Sequence, residues 1–125
     1  MAYLWVGIGG FAGANARYGL GRLLLDRVSS GFPAITLLVN LSGSLVIGFL
    51  LTLLAERFIS EHAWRLLEVV GFLGGYTTFS THAFEVVTLI EHGHAGRALA
   101  YVLASNLLGI LACAAGILLA RQMIR

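Results

Sequence analysis

Three runs of this chain carry no Asp, Glu, Lys or Arg: 28 residues from Val28 to Ala55, 16 from Val69 to Phe84 and 23 from Ala98 to Ala120. Met1 to Ala16 also lacks charged side chains. Crossing the hydrocarbon of a bilayer takes about 20 mostly apolar residues, so the runs predict an all-α membrane protein. Four transmembrane helices are expected near 3–25, 33–55, 65–91 and 98–120, filling residues 1–125 as a single four-span domain. Only 11% of the residues are charged, against about 25% in a soluble chain. The N-terminal apolar segment has no Lys or Arg ahead of it, which argues against a signal peptide. The eight basic residues are all Arg and are scattered, with no cluster to follow a nucleic-acid backbone. The one cysteine, Cys113, reads as a small packing residue with no intrachain partner.

Inside the third run lies GFLGGYTTFSTHAFE, Gly71 to Glu85, with three glycines and five hydroxyl side chains. Membranes accept non-helical backbone only where protein buries it or water reaches it. The glycines followed by Tyr-Thr-Thr predict a broken third helix, with backbone carbonyls and N–H groups freed to meet an ion. Phe72, Tyr76, Phe79 and Phe84 make the stretch aromatic. Such rings are usually packing, but a positive ring edge beside a helix break can also face an anion. Glu85 would be costly in lipid and should face protein or water.

The arginines bear on orientation. With four spans, the N-terminus, the 56–64 loop and the C-terminus share one side, holding Arg57, Arg65, Arg121 and Arg125. The other side holds Arg22, Arg27 and Arg97, with Arg17 just inside the first span. Four against four leaves the positive-inside rule almost no bias. Unless a further factor fixes one orientation, copies can insert either way up and pair as an inverted dimer.

In the first span Gly9 and Gly13 make one face smooth enough for close helix contact. Arg17 either snorkels to the interface or stands at a water-filled vestibule, where it raises the local anion concentration. Arg22 reads as an ordinary solvated charge. Pro33 suits the start of the second helix. Thr36, Asn40 and Gly43-Ser44 share a face there. Asn40 either glues two helices together or, with Thr36, offers donors to a permeating anion. Tyr101, Ser105 and Gly109 form a further stripe on the fourth span. His92 and His94 lack the supporting ligands a metal site needs.

Together these segments resemble the Fluc/CrcB family of bacterial fluoride channels. The likeness covers all four spans and rests on GxxxGAxxRY at 9–18, NLSGSLVIGF at 40–49 and the 71–85 stretch. It implies a passive, fluoride-selective ion channel of the bacterial inner membrane that confers fluoride resistance and is not an enzyme. It further implies an antiparallel, dual-topology homodimer with two fluoride pathways, whose broken third helices cross around a central structural sodium ion. By that resemblance the carbonyls of Gly74 and Thr77 hold the sodium. Thr36, Asn40, Phe79, His82, Glu85, Tyr101 and Ser105 line or adjoin the pore, and Arg17 matches the first-span arginine. One departure is specific to this chain: His82 stands where the family usually has a second Phe. Its ring edge has a similar shape but can also donate an N–H bond, or gain a proton and hold the anion.

The residues suit the task. Fluoride is small and strongly hydrated, so a pore must replace its water with donors yet still release it. Hydroxyls, an amide and ring edges are neutral donors of that kind. There is no nucleophile–base–acid set and no phosphate-binding glycine loop with Lys. A small multidrug/proton antiporter would need a buried first-span carboxylate, which is missing here. A purely structural packing subunit would account for the glycines but not for the polar third span.

Overall fold

The computed structural model describes residues 1–28, 32–56 and 62–125, and among them every regular element is helical. Helix α1 is Ala2–Leu24 and α2 is Ala34–Glu56. Helix α3 is one rod over 62–76: α-helical at His62–Trp64, π-helical at Arg65–Leu73 and α-helical again at Gly74–Tyr76. Thr77 and Thr78 are extended and separate it from α4, Phe79–Glu91. Helix α5 is Ala95–Ile124. Arg57, one of the eight arginines in the charge comparison, lies outside the described residues.

Two of these helices, α2 and α5, are long and apolar enough to cross a membrane. Only 17% and 6% of their apolar windows is buried within the protomer. Something other than this chain's own core must cover them, and lipid does so without cost.

Local signals set the helix ends. Pro33 precedes α2, and its carbonyl accepts from Leu37 N–H at 3.2 Å. Gly93, at φ +79°, lets α4 end in a Schellman turn. There His94 N–H donates to Leu89 O at 2.8 Å and Gly93 N–H to Ile90 O at 3.0 Å. The break itself falls later than the glycines suggest. Gly71, Gly74 and Gly75 all stay helical, and the chain unwinds at Thr77 and Thr78.

What those glycines do instead is pack. A Cβ on Gly9 would overlap the Leu67 carbonyl oxygen, and one on Gly13 that of Phe72. From the facing side, a Cβ on Gly71 would sit 2.7 Å from Val6 O, and one on Gly75 2.7 Å from Gly10 O. Helices α1 and α3 thus meet backbone to backbone, the contact small residues permit in a membrane. The α2–α5 pair repeats the device: Gly48 lies against the Cys113 carbonyl and Gly116 against that of Leu45.

The register of contacts fixes direction. Gly9 meets Leu67 to Phe72 while Gly13 meets Phe72 to Tyr76, so α1 and α3 run parallel. Going from Thr36 to Gly43 along α2, the partners retreat from Glu85 to Thr77, so the third segment runs antiparallel to α2. Glu56 accepts from Arg121 Nε at 3.1 Å, joining the ends of α2 and α5. Tyr101 is fully buried, packed with Leu89 and Ala98 against Phe32, Leu37 and Val86.

Candidate ion pathway around the helix break

An unwound pair inside apolar helices leaves backbone groups that must be accounted for. Asn40 takes two of them. Its Nδ2 donates to Thr78 O at 2.9 Å, and its Oδ1 accepts from Thr78 N–H at 2.8 Å. The amide therefore grips both polar groups of one extended residue. Thr78 also caps α4, its Oγ1 accepting from Thr81 N–H at 3.3 Å. In an unbroken helix Thr78 N–H would serve Gly74 O and Thr81 N–H would serve Thr77 O. Both donors go to side chains instead, which frees those two carbonyls. Gly74 and Thr77 are the pair expected to present carbonyls to a cation. Thr77 Oγ1 turns back to Leu73 O at 2.8 Å, so its hydroxyl is occupied.

Further along α4, Glu85 joins two other expected residues. Thr36 Oγ1 donates to Glu85 Oε1 at 2.6 Å, and Tyr101 OH donates to Oε2 at 2.9 Å. Two hydroxyl donors stabilise a carboxylate, which answers how this residue is tolerated there. His82 is buried one turn before it. Its Nδ1 lies 3.5 Å from Ser105 Oγ, and its ring centroid 4.5 Å from that of Tyr101 and 5.9 Å from that of Phe79. Phe79 itself is 81% exposed on the protomer.

Two cavities flank the break, and Thr78 faces both. One, of about 380 Å³, is lined by Asn40, Thr77, Thr78, Phe79, His82 and Ser105 among others. The other, of about 440 Å³, is lined by Arg17, Arg22, Thr36, Thr78 and Thr81. Thr36, Asn40, Phe79, His82 and Ser105 border one cavity or the other, Glu85 bonds to Thr36, and Tyr101 reaches the cavities only through Glu85 and the His82 ring. Arg17 and Arg22 place positive charge at the second cavity, whereas the donors of the first are neutral.

Sequence reasoning missed three contributors. Arg22 lines the second cavity, although five residues from Arg17 is not the spacing of a shared helix face. Ser42, off the Thr36–Asn40 line, meets Tyr76 OH at 3.0 Å. Thr78 was one hydroxyl among several in the stretch, and only the Asn40 contact singles it out.

A profile of the CrcB-like protein, Camphor Resistance (CrcB) family matches residues 4–117. The chain is 47% identical over 122 residues to the fluoride-specific ion channel FluC of Solibacter usitatus, covering 98% of this chain and 100% of that one. It is 42% identical to the FluC of Koribacter versatilis, over 98% of this chain and 94% of the relative. Against the fluoride-specific ion channel FluC 2 of Moorella thermoacetica it is 49% identical, over 89% of each.

Proposed function

This chain belongs to the CrcB-like family, and on that premise we propose that it is a passive fluoride-selective channel, a single membrane domain crossing the bacterial inner membrane four times. The observation that carries the reading is the unwound Thr77–Thr78 pair, set between two cavities whose donors converge on it. Relatives named as fluoride channels supply the ion, and the cavities supply a route. The parallel pairing of α1 with α3, and the antiparallel run of the third segment against α2, agree with four alternating passes.

The working unit in this reading is an inverted homodimer with two pathways. Gly74, Phe79, Ser80 and Thr81 are all exposed on the protomer around the break. Open backbone and hydroxyls at mid-membrane depth call for a protein cover rather than lipid, and a second copy provides it. A central sodium ion fits the same place. Carbonyls of an unwound helix are its usual ligands, and Gly74 O and Thr77 O have lost their helical donors. Two from each copy would hold the ion, whose charge would also favour an anion nearby.

Conduction needs no chemical step. Arg17 and Arg22 draw anions to one mouth. Neutral hydroxyls and ring edges then exchange for water without binding so tightly that release stalls. Purified protein in liposomes should release fluoride down its gradient much faster than chloride, read with ion-selective electrodes. Equal chloride flux, or flux that strictly requires a proton gradient, would remove the selective-channel reading.

A further inference from the structure

The pathway residue that departs from an all-carbon ring is His82, and its two nitrogens have different surroundings. Nδ1 lies beside Ser105 Oγ at 3.5 Å. Among the described residues Nε2 makes no hydrogen bond, yet no buried side-chain nitrogen or oxygen there lacks a partner. Nε2 therefore keeps an opening, and His82 lines the 380 Å³ cavity. Which nitrogen holds the ring proton depends on whether Ser105 gives or takes the bond at Nδ1. Ser44, Thr52, Thr77 and Thr88 each spend their hydroxyl hydrogen on a carbonyl of the preceding turn. Ser105 makes no such bond among the described residues, which leaves its hydrogen available to Nδ1, and we take it as the donor. A neutral imidazole that accepts at Nδ1 must carry its proton at Nε2.

Resting on the channel reading, we propose that His82 donates from Nε2–H to the permeating anion in this cavity, and that Ser105 is the positioning residue that fixes this tautomer. A nitrogen donor grips fluoride more firmly than a ring C–H edge. The neighbouring groups leave the ring free for this task. Glu85, one turn on, is occupied by Thr36 and Tyr101, and α2 contributes neutral Asn40 and Ser44 to the cavity.

Two measurements on the purified channel in liposomes test it. In the first, fluoride flux is followed against fluoride concentration. His82→Phe should raise the half-saturating concentration about tenfold, and Ser105→Ala should raise it in the same direction, with Ser105→Thr restoring it. Unchanged saturation in His82→Phe overturns the donor. Absence of fluoride flux from the wild type at any concentration overturns the channel reading and this one together. In the second, solid-state NMR uses ¹⁵N-histidine protein in which the exposed His62, His92 and His94 are replaced. The wild-type ring should show a protonated Nε2 with a ¹⁹F contact on adding fluoride, and Ser105→Ala should mix the tautomers. This reading survives a His82→Phe variant that fails to fold. A protonated Nδ1, or no ¹⁹F contact at Nε2, overturns the proposal.

Discussion

A single amide holds the unwound backbone of this protein in place. Asn40 bonds both the N–H and the C=O of Thr78; the C=O, as that of a helix N-cap, also has an intrahelical donor, so removal of Asn40 orphans the N–H. Asn40→Ala should cost about 2–3 kcal/mol, the upper part of the about 1–3 for one unpaired group, since the second bond to Thr78 O goes with it. Asn40→Asp should do no better, because it sets a second acceptor against Thr78 O. Thr78→Ala spares the clamp, which is made to backbone, and loses only the helix cap at about 1 kcal/mol. Thermal unfolding in detergent ranks the three, and a Thr78→Ala as damaging as Asn40→Ala would refute the clamp. The sequence left Asn40 with two readings, glue or anion donor, and the bonds seen in the protomer are those of glue. Its oxygen and one amide hydrogen are spent on Thr78, while the residue still borders the cavity. Which helix an asparagine will reach depends on tertiary register, and periodicity along one strand of sequence holds no such information.

Among the elements, glycine plays two roles that look alike in a sequence. Charge-free runs made the helices legible to within a few residues, because the bilayer demands length and apolarity and little else. The break was legible as a region but not as a position. Gly71 and Gly75 are spent on α1, and the residues that unwind are threonines whose backbone Asn40 can reach. Nor does any composition mark the π-helical stretch at Arg65–Leu73. The packing role is open to test by contrast. Leu at Gly9, Gly13 or Gly116 drives a side chain into backbone that cannot yield, whereas Gly7 and Gly19 have open space around them. The first three substitutions should abolish the folded protein in detergent, read by monodisperse elution. Gly7→Ala and Gly19→Ala should leave elution unchanged; equal loss in both groups would contradict the backbone contacts.

For the molecule as a whole, Gly74 separates what one copy needs from what two need. A Cβ at Gly74 meets nothing within 4 Å inside the protomer, so Gly74→Val should preserve secondary structure by circular dichroism. If a second copy and a cation lie over it, the same change should disrupt the dimer, seen by crosslinking in membranes. A fully dimeric Gly74→Val protein would place the interface elsewhere. The divided third helix has another consequence, one of timing. At 1.5 Å per residue the 13 residues of α4 reach about 20 Å, short of the roughly 30 Å of hydrocarbon. While the chain is being synthesised, α4 therefore cannot settle by its own length. Its polar side chains find Tyr101 and Ser105 only after α5 has been made. The helix that leaves the ribosome last completes a set of bonds that α2 has only begun.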